Sequence, residues 1–163
     1  MLHSICQWLE STSLGQWISQ SDYGFASIET VHVLALTAVV GTVFIVDLRL
    51  LGLTSSRRSV RVLSADALPV TWGAFVVALI AGALLFMSKA TQYIDNIPFR
   101  LKMLAMALAG VNMLAFHFIT YRGVEAWVLD AQPPLAAKLA GGLSITLWIL
   151  IVVAGRWIGF TTH

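Results

Sequence analysis

Charge is scarce in this chain, with Asp, Glu, Lys and Arg making up only 11% of 163 residues. A soluble domain carries about 25%, so a water-facing globule is excluded, and the 58% hydrophobic content and mean hydropathy of +0.84 point to a bilayer. Cysteine is nearly missing. Cys6 stands alone, which rules out an intrachain disulfide or a thiolate metal cluster and leaves only an intermolecular bridge. Prolines number four, Pro69, Pro98, Pro133 and Pro134, all expected at or before the starts of apolar runs. No basic stripe with interleaved aromatics is present, so the net charge of +2 does not mark a nucleic-acid surface. A phosphate-cradling glycine loop, a Ser or Cys beside a base, and an HExxH pair are all missing, which leaves nucleotide, nucleophilic and zinc chemistry without support.

What is present is apolar length. Runs near residues 27–48, 68–89, 100–121 and 135–157 each approach the roughly 20 residues that cross about 30 Å of hydrocarbon as a helix. The expected fold is all-α, a four-helix transmembrane bundle forming a single integral membrane domain over 1–163. Residues 1–26 lack a basic start and an unbroken apolar core, so they do not read as a cleavable signal peptide. They read as two short interfacial helices interrupted around Ser11 to Gly15, with Trp8 and Trp17 at headgroup level. A plain amphipathic anchor is favoured over a lid. Arg49, Arg57, Arg58 and Arg61 crowd the first connection, and the N-terminal segment has no Lys or Arg. The positive-inside rule then places that loop in the cytoplasm and both termini in the periplasm of a bacterial inner membrane.

The stretch that invites a functional reading is Phe99 to Arg122. Steps of three or four residues put Lys102, Met106, Gly110, Met113, His117 and Tyr121 in one helical stripe. Ionisable groups in hydrocarbon are costly, so this stripe is expected to face protein. On the first span, Glu29 and His32 form an i, i+3 pair in which a carboxylate can orient an imidazole. An up-down bundle brings Lys102, Arg100, Lys89, Glu29 and His32 to the same outer end. The bland alternative is a snorkelled lysine and arginine beside a satisfied structural histidine. His117 lies about 22 Å deeper than Lys102, so His32 and His117 of one chain cannot clamp a single iron; a second copy would be needed for a bis-histidine site. Asp47 and Arg49 are expected to pair with each other or with Arg122. Gly41 reads as a close-contact point, as do Gly141, Gly142 and Gly155 on the last span, with Trp148 and Trp157 facing lipid or interface.

Three functional classes follow from these residues. As a b-type haem redox protein, the chain would use His32 as axial ligand and Glu29 to orient it. Lys102, Met103, Met106 or water would stand opposite, or Lys102 would hold a propionate, with His117 as a second-site candidate. As a non-catalytic subunit, the cluster would dock a partner, a redox protein or another copy of the chain. As a copper-handling protein, His32 with Met103 and Met106 would supply imidazole and thioether donors.

The segments WLESTSLGQWISQS, IETVHVLALTAVVGTVFIVDLRLLGL and NIPFRLKMLAMALAGVNMLAFH together resemble an uncharacterised family of small four-span bacterial inner-membrane proteins. That resemblance implies fold and location and no activity. More distantly, the chain is similar to HemJ-type protoporphyrinogen oxidases. There a first-span histidine and a later lysine are implicated in haem binding, and His32 and Lys102 match them. Lys102 followed by Asn112 is also similar to the membrane domain of CopD copper-resistance proteins.

Overall fold

The computed structural model describes the chain except residues 22, 55–59, 121–132 and 162–163; of residues 60, 61, 119 and 120 only the backbone is described. The expectations for Arg57, Arg58, Tyr121 and Arg122 therefore lie outside the described residues, as does the Arg61 side chain. Every described element is helical. Two short helices, α1 (Leu2–Ser11) and α2 (Ser13–Gln20), precede the long α3 (Gly24–Leu50) and α4 (Val60–Ser88). A short α5 (Ala90–Asp95) leads to α6 (Ile97–Ala115), a π-helical turn (Phe116–Thr120) and α7 (Leu135–Thr161). Four of these helices are long and apolar enough to cross a membrane, and the protein is a multi-pass membrane protein with an all-α bundle.

Proline separates expectation from structure in the second span. Pro69 was expected in its first turn, but α4 begins at Val60 and holds Pro69 in its interior. An interior proline removes the hydrogen bond to the carbonyl four residues earlier. The polar residues before it, Ser64 to Asp66, are helical all the same. At α6 the turn chemistry acts as expected. The Asn96 side chain accepts from the Phe99 amide at 3.0 Å, Pro98 fills the first turn, and the Asn96 amide donates to Thr161 Oγ1 at 2.8 Å. That last bond ties the end of α7 to the start of α6.

The four long helices pack as two pairs, α3 with α4 and α6 with α7, and α3 lies against α7 to join them. Among the described residues α4 and α6 have no extensive packing and touch where Phe86 stacks on Phe99 at 5.5 Å. Small residues set the close approaches. A Cβ on Gly141 would sit 3.0 Å from the Asp47 carbonyl and 3.1 Å from Leu50 Cβ, so α7 crosses α3 almost backbone to backbone. Gly41, by contrast, has open space beside it and makes no such contact. Large side chains such as Leu34, Leu104 and Val111 stay exposed on the outside, as hydrocarbon permits.

The break between the first two helices falls at Thr12, which is extended; its hydroxyl donates to Leu9 O at 2.6 Å and accepts from Gly15 N at 3.1 Å. Gly15 is thus inside α2, where a Cβ would lie 3.1 Å from the Met87 carbonyl of α4. Cys6 and Ile18 are buried against the bundle, while Trp8 and Trp17 remain exposed. Glu10 Oε1 accepts from both the amide and the hydroxyl of Thr91 at 2.8 Å each. The segment is not a free anchor. It is docked across one end of the bundle, called here the capped end.

Candidate functional site at the capped end, and a cavity in the far half

His32 sits about two turns inside α3 and crosses to α4. Its Nδ1 lies 2.8 Å from the Ala78 carbonyl. A carbonyl only accepts, so Nδ1 carries the proton and Nε2 of the neutral ring keeps its lone pair. The ring rests on Gly82, where an added Cβ would come within 2.9 Å of Cε1. Glu29 was expected to orient this imidazole. It does not: Glu29 is exposed, and the backbone of α4 holds the ring. The Glu29 side chain stays exposed, while the imidazole turns to α4.

Lys102 lies in the second turn of α6, after the N-cap Asn96. Its Nζ packs against Gly155 of α7, 3.5 Å from where a Cβ would be. Among the described residues it has no hydrogen-bond acceptor and no ion pair, although it is half-buried in a membrane-spanning helix. The charges that act on His32 are those of Lys102 and Glu29. Sequence reading therefore assembled three of these groups at the right end. The other two stand at the same end but turn outward and do not join the His32 and Lys102 side chains. Arg100 is exposed and pairs with Asp95 at 3.4 Å, and Lys89 is exposed over the Phe25 ring at 5.8 Å.

Aromatic rings close this end. Phe86, Tyr93 and Phe99 stack on one another at centroid distances of 5.5 to 6.3 Å. Burial raises the Tyr93 phenol above its ordinary value, and the Glu29 carboxylate adds to the effect. With the folded value above the unfolded one near 10, the neutral phenol stabilises the fold. That stability is present below about pH 10 and lost as pH rises through the folded value. Tyr93→Phe is accordingly expected to flatten the alkaline fall of thermal stability, measured by melting the detergent-solubilised protein across that range.

The methionines do not gather around His32. Met103 is exposed on the outer surface of α6. Met106 packs with Trp148 beside Ala105, Leu147 and Ile151. From there it lines a separate cavity of about 340 Å³ nearer the far end. Gly110, Met113 and His117 line it too, so the stripe expected to face protein does so, but it faces a cavity that His32 does not reach. His117 stands in the π-helical turn, edge-on to Phe118, where regular α-helix was expected to continue. Such turns are frequent at functional sites.

The sequence reading missed this cavity because its polar groups look ordinary one at a time. Thr42 and Thr71 join their hydroxyls at 2.8 Å between α3 and α4, and the Asn112 amide donates to Ala140 O at 3.0 Å between α6 and α7. Trp148, expected toward lipid or interface, is on its wall. Asp47 also lines it, 5% exposed, and pairs with neither Arg49 nor any other described cation; its partner is the Ser144 hydroxyl. Only a fold that sets the two helix pairs apart on one side brings these residues together.

Among the described residues no three His, Cys, Asp or Glu side chains are grouped to hold a metal ion. Neither the curated proteins nor the solved structures contain a match to this chain. A family profile does match it, over residues 5–161, and the chain belongs to that family, DUF6644, a family of unknown function.

Proposed function

We propose that the protein binds b-type haem at the capped end and serves in membrane electron transfer, with His32 as axial ligand. The observation that carries this reading is the seating of His32. An imidazole whose Nδ1–H is engaged by the Ala78 carbonyl offers Nε2 to a metal in a fixed tautomer and orientation, as histidine ligands require. Lys102 supplies the second element. A half-buried ammonium without an anionic partner is costly, and a haem propionate is an anion of the kind it lacks. The likeness of His32 and Lys102 to the HemJ-type pattern points the same way. When bound, haem would supply one-electron redox chemistry; the chain supplies the ligand, a counter-charge and a segment docked over the site.

The positions of the methionines favour this over copper. Met103 is exposed on the outer surface and Met106 lines the far cavity, so His32 would hold copper without them. Met106 is likewise poorly placed opposite a haem at His32, which leaves Lys102 or an open sixth position. With the termini taken as periplasmic, the capped end faces the periplasm.

A reduced-minus-oxidised absorption spectrum of detergent-purified protein, expressed with ample haem supply, tests the proposal. The expected result is a b-type spectrum lost in His32→Ala and retained in His117→Ala. Protein with no haem spectrum would instead favour the non-catalytic subunit, and co-purification would then seek a partner or a second copy.

A further inference from the structure

The cavity in the far half of the bundle presents a problem in electrostatics that the capped end does not solve. Asp47 is 5% exposed in its wall, and Oδ2 has no hydrogen-bond partner among the described residues. Its other oxygen takes the Ser144 hydroxyl, and no described Lys, Arg or His acts on it. Ionised in so apolar a setting, a carboxylate needs a positive charge. Trp72 and Trp148 line the same cavity, and indole rings attract cations. Trp72 and Leu68 of α4 and Met113 of α6 line the cavity and are exposed, away from the Phe86–Phe99 stack that joins the two helices, so a ligand dissolved in the bilayer has a way in. A volume of about 340 Å³ lies at the small end of ligand pockets.

We infer that this cavity binds an organic cation with an apolar body, its charge set against Asp47 and its body against Trp72 and Trp148. The groups argue for charge and apolarity together. An anion would meet the carboxylate, and a neutral hydrocarbon would leave Oδ2 as it is. Thr42 and Thr71 already satisfy each other, and the Asn112 amide is engaged with α7, so the unmet requirement is the carboxylate's.

The test uses the full chain in lipid nanodiscs, titrated with benzyltrimethylammonium and separately with neopentylbenzene, its uncharged carbon isostere, while intrinsic tryptophan fluorescence is followed. Saturable binding of the cation is expected, at least ten-fold tighter than any binding of the isostere. Asp47→Asn should weaken the cation at least ten-fold and leave the isostere unchanged. Gly110→Leu serves as a second variant, one that leaves the buried Asp47–Ser144 bond in place. Gly110 lines the cavity with open space beside it, so leucine fills the volume while the carboxylate remains, and binding should be lost. Equal binding of cation and isostere, no saturable cation binding, or cation binding that survives both variants would overturn the inference. His32→Ala should leave cation binding intact, so failure here and failure of the haem reading are separate results.

Discussion

Gly82→Val is expected to remove the haem spectrum almost as completely as His32→Ala, with at least a ten-fold fall in bound haem, although position 82 offers no ligand atom. A Cβ there would lie 2.9 Å from His32 Cε1 and 3.3 Å from Nδ1. Carbon atoms in contact settle at about 3.5 to 4.0 Å, so either the ring or α4 must yield. The ring is the softer of the two, because α4 is a continuous helix and the imidazole turns about two bonds. Turning it breaks the Nδ1–H bond to Ala78, which is worth about 1 kcal/mol net but fixes the tautomer as well. The helix should survive, since glycine is a poor helix former and replacing it costs the helix nothing. Gly73→Ala is the control on the same helix. Nothing lies within 4 Å of a Cβ at Gly73, so its spectrum should match the parent protein. Full haem content in Gly82→Val would show that His32, as seated, is not the ligand.

That a glycine on another helix positions the histidine marks where sequence reading reaches its limit. Four spans, two amphipathic helices before them and a polar cluster at one end were all legible, because each is written in local composition and helical period. Lys102 and His32 declared themselves as ionisable residues in hydrocarbon. Ala78 and Gly82 could not, since alanine and glycine in a membrane helix carry no distinguishing chemistry until a neighbour is known. Glu29 misled for the reverse reason. Its i, i+3 spacing from His32 is real, but it states proximity of backbone positions and not the direction in which each side chain turns. Asp47 is the clearest case. Beside Arg49 in sequence it reads as an end-of-span ion pair, yet residues two apart on a helix point to different faces. One meets Ser144 across the cavity wall, while the other is buried elsewhere.

The same logic of glycine against neighbour predicts a large stability effect at Gly141 and a small one of opposite sign at Gly41. Both were read from sequence as close-contact points, and both should respond to alanine in the same way if helix propensity alone mattered, by up to about 1 kcal/mol of stabilisation. At Gly41 the space beside the backbone is open, so Gly41→Ala should be neutral or slightly stabilising. At Gly141 the new methyl would meet the Asp47 carbonyl at 3.0 Å, and that neighbour is backbone, which cannot rotate aside as a side chain can. Relief requires α7 to move from α3. That contact joins the α3–α4 pair to the α6–α7 pair, and α4 meets α6 only lightly, at the Phe86–Phe99 stack of the opposite end. Overpacking of this kind costs typically 1 to 3 kcal/mol, so Gly141→Ala should be destabilising despite its better propensity, and Gly141→Val should exceed it. Thermal melts of the purified variants, read by loss of helical signal or of monodispersity, give the order directly: Gly41→Ala at or above the parent, Gly141→Ala below it, Gly141→Val lowest. Equal melting of the two alanine variants would mean that α3 and α7 can separate without cost, and the bundle would then be held together across α4 and α6 instead.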